Sequence, residues 1–274
     1  MWPRIIWLFI LFLLGRHLCF PNSPRYLELA DSADYFIQRE NWPRAEQKII
    51  EALRLEPANF NNSLLLANLG LVQTQKGDYK KAIESCTLGL NIAPSSTILL
   101  NNRAHAYLLD DEIDNAVLDL DRSLQLDSIQ EWVLQTRAYI YLQQKDIENS
   151  RKLFLKLQDK FPSNSSVFTG LAAIAEQEGK PEEASRLYRK VLEIHRDDEE
   201  AREAYIALLI ADDKYSEARL QIKEGLEINP ENPMFYLLRG YLHRLNYRME
   251  EAEADKKIAI SKGLDPQYVR EFIP

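Results

Sequence analysis

Cysteine is nearly absent from this chain: only Cys19 and Cys86 occur in 274 residues. Two thiols exclude a disulfide-stapled scaffold and a multi-cysteine zinc site. Glycine is also scarce, at nine residues, which excludes collagen-like and flexible-linker architectures. Basic residues are in deficit, 34 against 42 acidic, for a net charge of −8. Removing Arg4, Arg16 and Arg25, all in the acid-free first 25 residues, leaves 31 basic groups against 42 acids, or −11 for the body. Such a body argues against nucleic acid as a partner, since phosphates must be neutralised by Lys and Arg.

Catalytic patterns are missing too. The sequence has no P-loop, G-x-G-x-x-G or G-x-S-x-G. His17, His105, His195 and His243 are scattered, and none forms H-E-x-x-H. Cys86 falls at a core position with no histidine placed to activate it, and reads as a buried structural thiol. The expectation is a protein that is not an enzyme and needs neither metal nor cofactor.

What is present begins with Ile5–Leu14, ten apolar residues behind Arg4. As a helix they would span about 15 Å, half of a hydrocarbon core. A basic start and a short apolar core fit a secretory signal peptide, although the cleavage region is poor in small residues. Extending from Trp2 to Phe20 gives an uncleaved anchor, with Arg16 near its end where it can snorkel. Cys19 matches a lipoprotein cysteine weakly, because Leu18 precedes it. Each alternative exports the body or tethers it to a membrane through residues 1–20: periplasm or cell envelope in a bacterium, secretory pathway in a eukaryote.

Beyond Pro24 apolar residues recur at three- and four-residue spacing, and no strand-like alternation persists. Length alone would suggest about two ordinary domains. Pro94, Pro162 and Pro230 instead set a beat of 68 and 68 residues, twice 34. Frames of 34 fall at 26–59, 63–96, 97–130, 131–164, 165–198, 199–232 and 233–266, with a three-residue Asn-rich insertion at 60–62. Position 20 then reads Ala45, Ala82, Ala116, Ser150, Ala184, Ala218 and Ala252. Position 8 reads Ala33, Gly70, Ala104, Ala138, Ala172, Ile206 and Gly240. Small residues at one point on each of two helices let the helices cross closely. Gly77, Asp111, Gly179 and Asp213 share the place of the turn between them. Arg103, Arg137 and Arg239 share position 7, and are expected to pack their stems and pair with neighbouring acids such as Asp119, Asp121 and Glu148.

On these residues, most clearly "LANLGLVQTQKGDYKKAIESCTLGLNIAP" at 66–94 and "LNNRAHAYLLDDEIDNAVLDLDRSLQLD" at 100–127, the body resembles the tetratricopeptide repeat family. The resemblance covers 26–266. It implies an all-α fold, a right-handed superhelical α-solenoid of stacked helix–turn–helix repeats, with 1–25 as leader and linker and 267–274 as a short capping helix or tail. It also implies a concave face built from positions 2, 5, 9 and 12 of each first helix. On that face repeats 3 and 4 would place Asn101, His105, Trp132, Gln135 and Tyr139. Rings and amides suit an extended peptide, whose side chains and backbone they respectively engage. Glu176 and Glu203 would favour a neutral or basic segment. The carboxylate-clamp set of the family is not matched, since no Lys or Arg occupies it. The implied function is a non-enzymatic adaptor that binds a protein or peptide on the concave face. The alternative is a structural or assembly subunit of a cell-envelope complex that acts through convex or edge surfaces.

Overall fold

One backbone conformation recurs seven times along the chain. Glu40, Gly77, Asp111, Lys145, Gly179, Asp213 and Tyr247 all have positive φ, between 54° and 80°. Each is position 15 of its frame. The N–H of position 16 donates to the C=O of position 11 every time, from Asn41 to Phe36 through Arg248 to His243. The N–H of position 15 donates to the C=O of position 12 in parallel. This is the Schellman closure, which satisfies carbonyls that a helix end would leave open. Only two of the seven residues are glycine. The other five hold a left-handed conformation that costs an L-residue about 1–2 kcal/mol.

The computed structural model describes residues 22–273. The leader expected at 1–20, with Cys19, lies outside them. Fifteen helices are described. In the first unit, up to Ser128, they are α1 (Pro24–Ile37), α2 (Trp42–Leu55), α3 (Asn62–Gln75), α4 (Tyr79–Ile92), α5 (Thr97–Leu109) and α6 (Ile113–Leu126). In the second, from Ile129, they are α7 (Glu131–Gln143), α8 (Ile147–Lys160), α9 (Ser166–Gln177), α10 (Pro181–Ile194), α11 (Glu199–Ala211), α12 (Tyr215–Ile228), α13 (Pro233–Leu245), α14 (Met249–Ser261) and α15 (Pro266–Phe272). The described residues contain no strand. The fold is therefore all-helical and made of helix–turn–helix repeats. Within each unit every helix packs on the next.

All fourteen residues at positions 8 and 20 are buried. Their size sets the approach of the two helices. A Cβ on Gly70 would stand 2.3 Å from the Cys86 sulfur. Ile206, the one large residue in the set, is fully buried, and α11 packs less closely on α12 than the helices of the other repeats do on each other.

Position 7 carries a second recurring contact. Arg103 Nε and Nη2 donate to the two carboxylate oxygens of Asp119, both at 2.7 Å, and Nη1 donates to Thr87 on α4. Arg239 makes the same fork with Asp255, at 2.9 and 2.7 Å. Both acids are position 23 of the same repeat. Asp119 was among the acids expected, whereas Asp255 was not singled out. For Arg137, the guanidinium lies 4.0 Å from the centre of the Tyr141 ring, and Nη2 donates to the Tyr141 hydroxyl. Position 23 of its repeat is Leu153, which can accept nothing. In the sixth repeat the buried arginine is Arg202, at position 4 and only 2% exposed. It donates to Gln221, Glu224 and the Arg196 carbonyl. The guanidiniums of Arg103, Arg202 and Arg239 are tolerated because each has acceptors within reach.

α15 packs on the seventh repeat. Asp265 caps it by accepting from the Gln267 and Tyr268 N–H groups, with Pro266 in the first turn. Val269 and Ile273 carry the burial, against Leu237 and Ala259. Phe272 packs on Tyr241, and Tyr268 stays more open. No helix among the described residues is long and apolar enough to cross a membrane.

Replacing Lys145 or Tyr247 by glycine removes left-handed strain while adding unfolded-chain entropy of about 0.5–1 kcal/mol. Tyr247 is 88% exposed, so its ring contributes little packing. Lys145→Gly and Tyr247→Gly should each stabilise the protein by about 0.5–1 kcal/mol, read by urea denaturation.

Candidate functional site

The seven residues expected to bind a partner divide between the units. Asn101 and His105 lie on α5 in the first. Trp132, Gln135 and Tyr139 on α7, Glu176 on α9 and Glu203 on α11 lie in the second.

In the first unit the first helix of each repeat starts with an exposed aliphatic residue at position 2: Leu27, Leu64 and Ile98. Asn101 follows one turn after Ile98, and its amide oxygen accepts from the Ser123 hydroxyl on α6 at 2.7 Å. His105 is one turn further and half-buried. That burial lowers its pKa from the ordinary 6.5, because it penalises the imidazolium.

In the second unit α7, α9, α10 and α11 enclose a concavity of about 530 Å3. Gln135 and Tyr139 line it from α7, Thr169 from α9, Tyr188 from α10, and Glu200 from α11, with Asp198 at its edge. Tyr139 is anchored at both ends. Its ring stacks edge-on to Phe154 at 5.1 Å, and its hydroxyl donates to the Ser166 carbonyl at 3.2 Å. Burial, with the Glu200 and Asp198 carboxylates nearby, pushes its phenol up to about 12. Phe154 reaches this position because Gly170 has no side chain; a Cβ there would stand 2.1 Å from the ring. Tyr188 donates its hydroxyl to Glu176, and burial followed by that bond raises its pKa. Glu176 therefore orients the lining and is not itself part of it. Trp132 precedes Gln135 by one turn and is 39% exposed.

Gln135 and Glu203 share a second role. The Asn164 amide at the end of the fourth repeat donates to Glu131 and Gln135, at 2.8 and 3.2 Å. The Asn232 amide at the end of the sixth donates to Glu199 and Glu203, at 2.6 and 2.8 Å. In these two repeats position 34 thus ties the turn at the repeat's end back to positions 1 and 5 of the same repeat. Glu203 keeps a raised pKa, because burial outweighs the Asn232 bond and the Glu199 and Glu200 charges add to it. Of the lining, Tyr188 was not legible beforehand, since position 24 of a second helix reads as core. Cys86, at that same position, is indeed buried, and desolvation pushes its thiol up to about 12. A thiol held protonated in this way is a poor nucleophile.

Comparison with known proteins matches three stretches to family profiles described as tetratricopeptide repeat: residues 65–96, 136–199 and 175–240. Among solved structures, a tetratricopeptide repeat protein from Parabacteroides merdae is 25% identical, with a TM-score of 0.76 over 91% of this chain and 98% of that one. PilF of Pseudomonas aeruginosa is 22% identical, with a TM-score of 0.64 over 77% and 96%. YrrB, described as having an unusual peptide-binding site, is 20% identical, with a TM-score of 0.50 over 69% and 97%. No curated protein sequence matches significantly.

The lowered His105 pKa has a consequence for stability. The fold favours the neutral ring, so this contribution is present above the ordinary 6.5 and is lost as pH falls through the lower folded value. Between about pH 7.5 and about pH 5 the wild type should lose more stability than His105→Gln, as measured by urea titrations at both pH values.

Proposed function

We propose that this chain, which carries tetratricopeptide repeats, is a protein-interaction adaptor holding an extended, neutral to basic segment of a partner on the faces formed by its first helices. The observation that carries the reading is the concavity on α7, α9, α10 and α11. Two tyrosine rings, an amide and a carboxylate border one space there. Rings cover aliphatic stems and attract cations, the Gln135 amide can bond a peptide backbone, and Glu200 with Asp198 favours a lysine or arginine head. Trp132 extends this face by one exposed ring. The first unit offers an apolar counterpart in Leu27, Leu64 and Ile98, with Asn101 and His105 beside them. A fold shared with a protein described as peptide-binding is consistent with this use.

A second reading, assembly through outer surfaces, is favoured by exposed leucines on the second helices. Leu88, Leu155 and Leu220 are each at least half exposed, and Leu118 is 67% exposed. Scattered surface leucines are common in monomers, so the first-helix face is preferred.

Affinity capture from the source cells separates the two. Trp132→Ala and Glu200→Lys, each checked by circular dichroism, should reduce partner recovery about tenfold or more, the usual effect of removing a central aromatic anchor or reversing a contact charge. Recovery equal to wild type would remove the first-helix face from consideration.

The leader is a separate proposal. We propose that residues 1–20 export the body or tether it to a membrane, in the bacterial envelope or the secretory pathway. The apolar run Ile5–Leu14 behind Arg4 supports it. Mass spectrometry of the mature chain should show either a start beyond residue 20 or an intact, membrane-bound N-terminus, lipidated or not. A full-length chain recovered in the soluble cytosol would overturn it.

A further inference from the structure

A second concavity, of about 390 Å3, opens between α12 and α13. Its floor is aliphatic: Ile222 and Leu226 from α12 and Leu242 from α13. Its rim carries Arg219, Lys223 and one acid, Glu227, on the α12 side, and His243 and Arg248 on the other. It is not on the face discussed above. Leu242 is five residues past Leu237, the position-5 residue of that repeat, which at about 100° per residue places it roughly 140° around the helix.

The preceding junction shows why the space exists. Between α10 and α11 the equivalent positions, 24 and 7, are Tyr188 and Tyr205, both buried, with ring centres 6.2 Å apart. Between α12 and α13 these positions are Ile222 and Arg239. The Arg239 guanidinium is drawn away to Asp255 on α14 by two hydrogen bonds. An aliphatic stub and a withdrawn arginine leave open what two rings fill one repeat earlier.

The charge at the rim runs against that of the chain. Acids exceed bases by eight overall. Yet Arg219 and Arg248 are exposed and have no acidic partner among the described residues. Lys223 has only Glu227, at 3.8 Å with both side chains open to solvent. Asp255 is committed to Arg239, with His243 3.7 Å away. In a protein with this surplus of carboxylates, a rim of three cations to one acid over an aliphatic floor keeps an excess of positive charge that the molecule itself does not balance.

We infer that this pocket docks an acidic–aliphatic peptide segment of a partner protein. One leucine- or isoleucine-sized side chain rests on Ile222, Leu226 and Leu242, and flanking carboxylates reach Arg219, Lys223 and Arg248. The volume lies near the lower end of small-ligand sites, about 300–1,000 Å3, and the pocket is open on one side, which suits a single side chain with chain continuing past it better than a buried acyl tail. Ion pairs at an apolar pocket are strongest where guanidinium meets carboxylate, and two of the three rim cations are arginine.

The test uses the purified full chain and two fluorescein-labelled decapeptides. One alternates leucine with glutamate, and the other replaces glutamate by glutamine. Fluorescence anisotropy should show the glutamate peptide binding at least about tenfold more tightly, with affinity falling as salt is raised. The double variant Arg219→Glu/Arg248→Glu changes only exposed side chains and should abolish that preference. Leu226→Ala should weaken binding of the glutamate peptide, and Trp132→Ala should leave it unchanged. Equal binding of the two peptides, or wild-type affinity in the charge-reversal variant, would overturn the proposal. So would decanoate binding without peptide binding, which would assign the pocket to a fatty acid. Loss of binding in Trp132→Ala would move the peptide to the first-helix face, so the two sites fail separately.

Discussion

The close crossing of two helices at positions 8 and 20 is the constraint on which the rest of this structure depends. A helix pair can bury its apolar stripe only if the axes approach, and they approach only where side chains are nearly absent. Every residue at these two positions is buried, and a methyl on Gly70 would collide with Cys86. The left-handed residue at position 15 follows from the same requirement. A turn that returns the chain at that distance needs one residue with positive φ, and five repeats accept strain at a non-glycine residue to obtain it. Packing of the pair therefore outweighs the local preference of the turn residue.

Once the pairs are set, polar contacts decide how repeats differ. The fork from position 7 to position 23 joins the two helices of the third and seventh repeats. The sixth reaches a similar end with Arg202 and a different acceptor set. Removing one partner of such a pair would strand a buried charge, which is costlier than never having had the pair. The amides of Asn164 and Asn232 do comparable work at the end of a repeat, where each reaches back to positions 1 and 5 on the first helix of its own repeat. Gln135 consequently faces two ways: it lines the concavity of the second unit, and it braces the turn beside it.

The repeat was legible in the sequence because its signal is a spacing, and spacing survives substitution. Small residues at two fixed positions, a turn residue between them and proline at a fixed beat each reflect backbone geometry, which leaves few residue choices. The site was legible only in part. Tyr139 and Gln135 line the concavity at positions 9 and 5, which the family resemblance places on the inner face and which share one side of a helix. Tyr188 was missed because its contribution comes from a second helix, at a position otherwise filled by core residues such as Cys86 and Phe154. The bonds that Glu176 and Glu203 make to Tyr188 and Asn232 are not legible in sequence for another reason. A carboxylate on a helix face carries no mark in sequence of whether a neighbour already bonds it. The leader is legible as an apolar run and nothing more.

The last repeat shows how a solenoid unit can give up packing on one side without losing its place. Where α10 meets α11, two buried tyrosines fill the junction. Where α12 meets α13 they are replaced by Ile222 and Arg239, and a space remains. Stability in such arrays is approximately a sum of repeat and nearest-neighbour terms, so a weaker junction must be offset nearby. Here the compensation lies on the opposite side of α13. There Leu237 is fully buried against Ala259, Val269 and Ile273. Gly240 admits both Asp255 and Ile273 to close range; a Cβ there would stand 3.1 and 3.2 Å from them. The helix α15 thus acts on the packing of the seventh repeat. By holding α13 from behind, it allows the face toward α12 to remain open and charged.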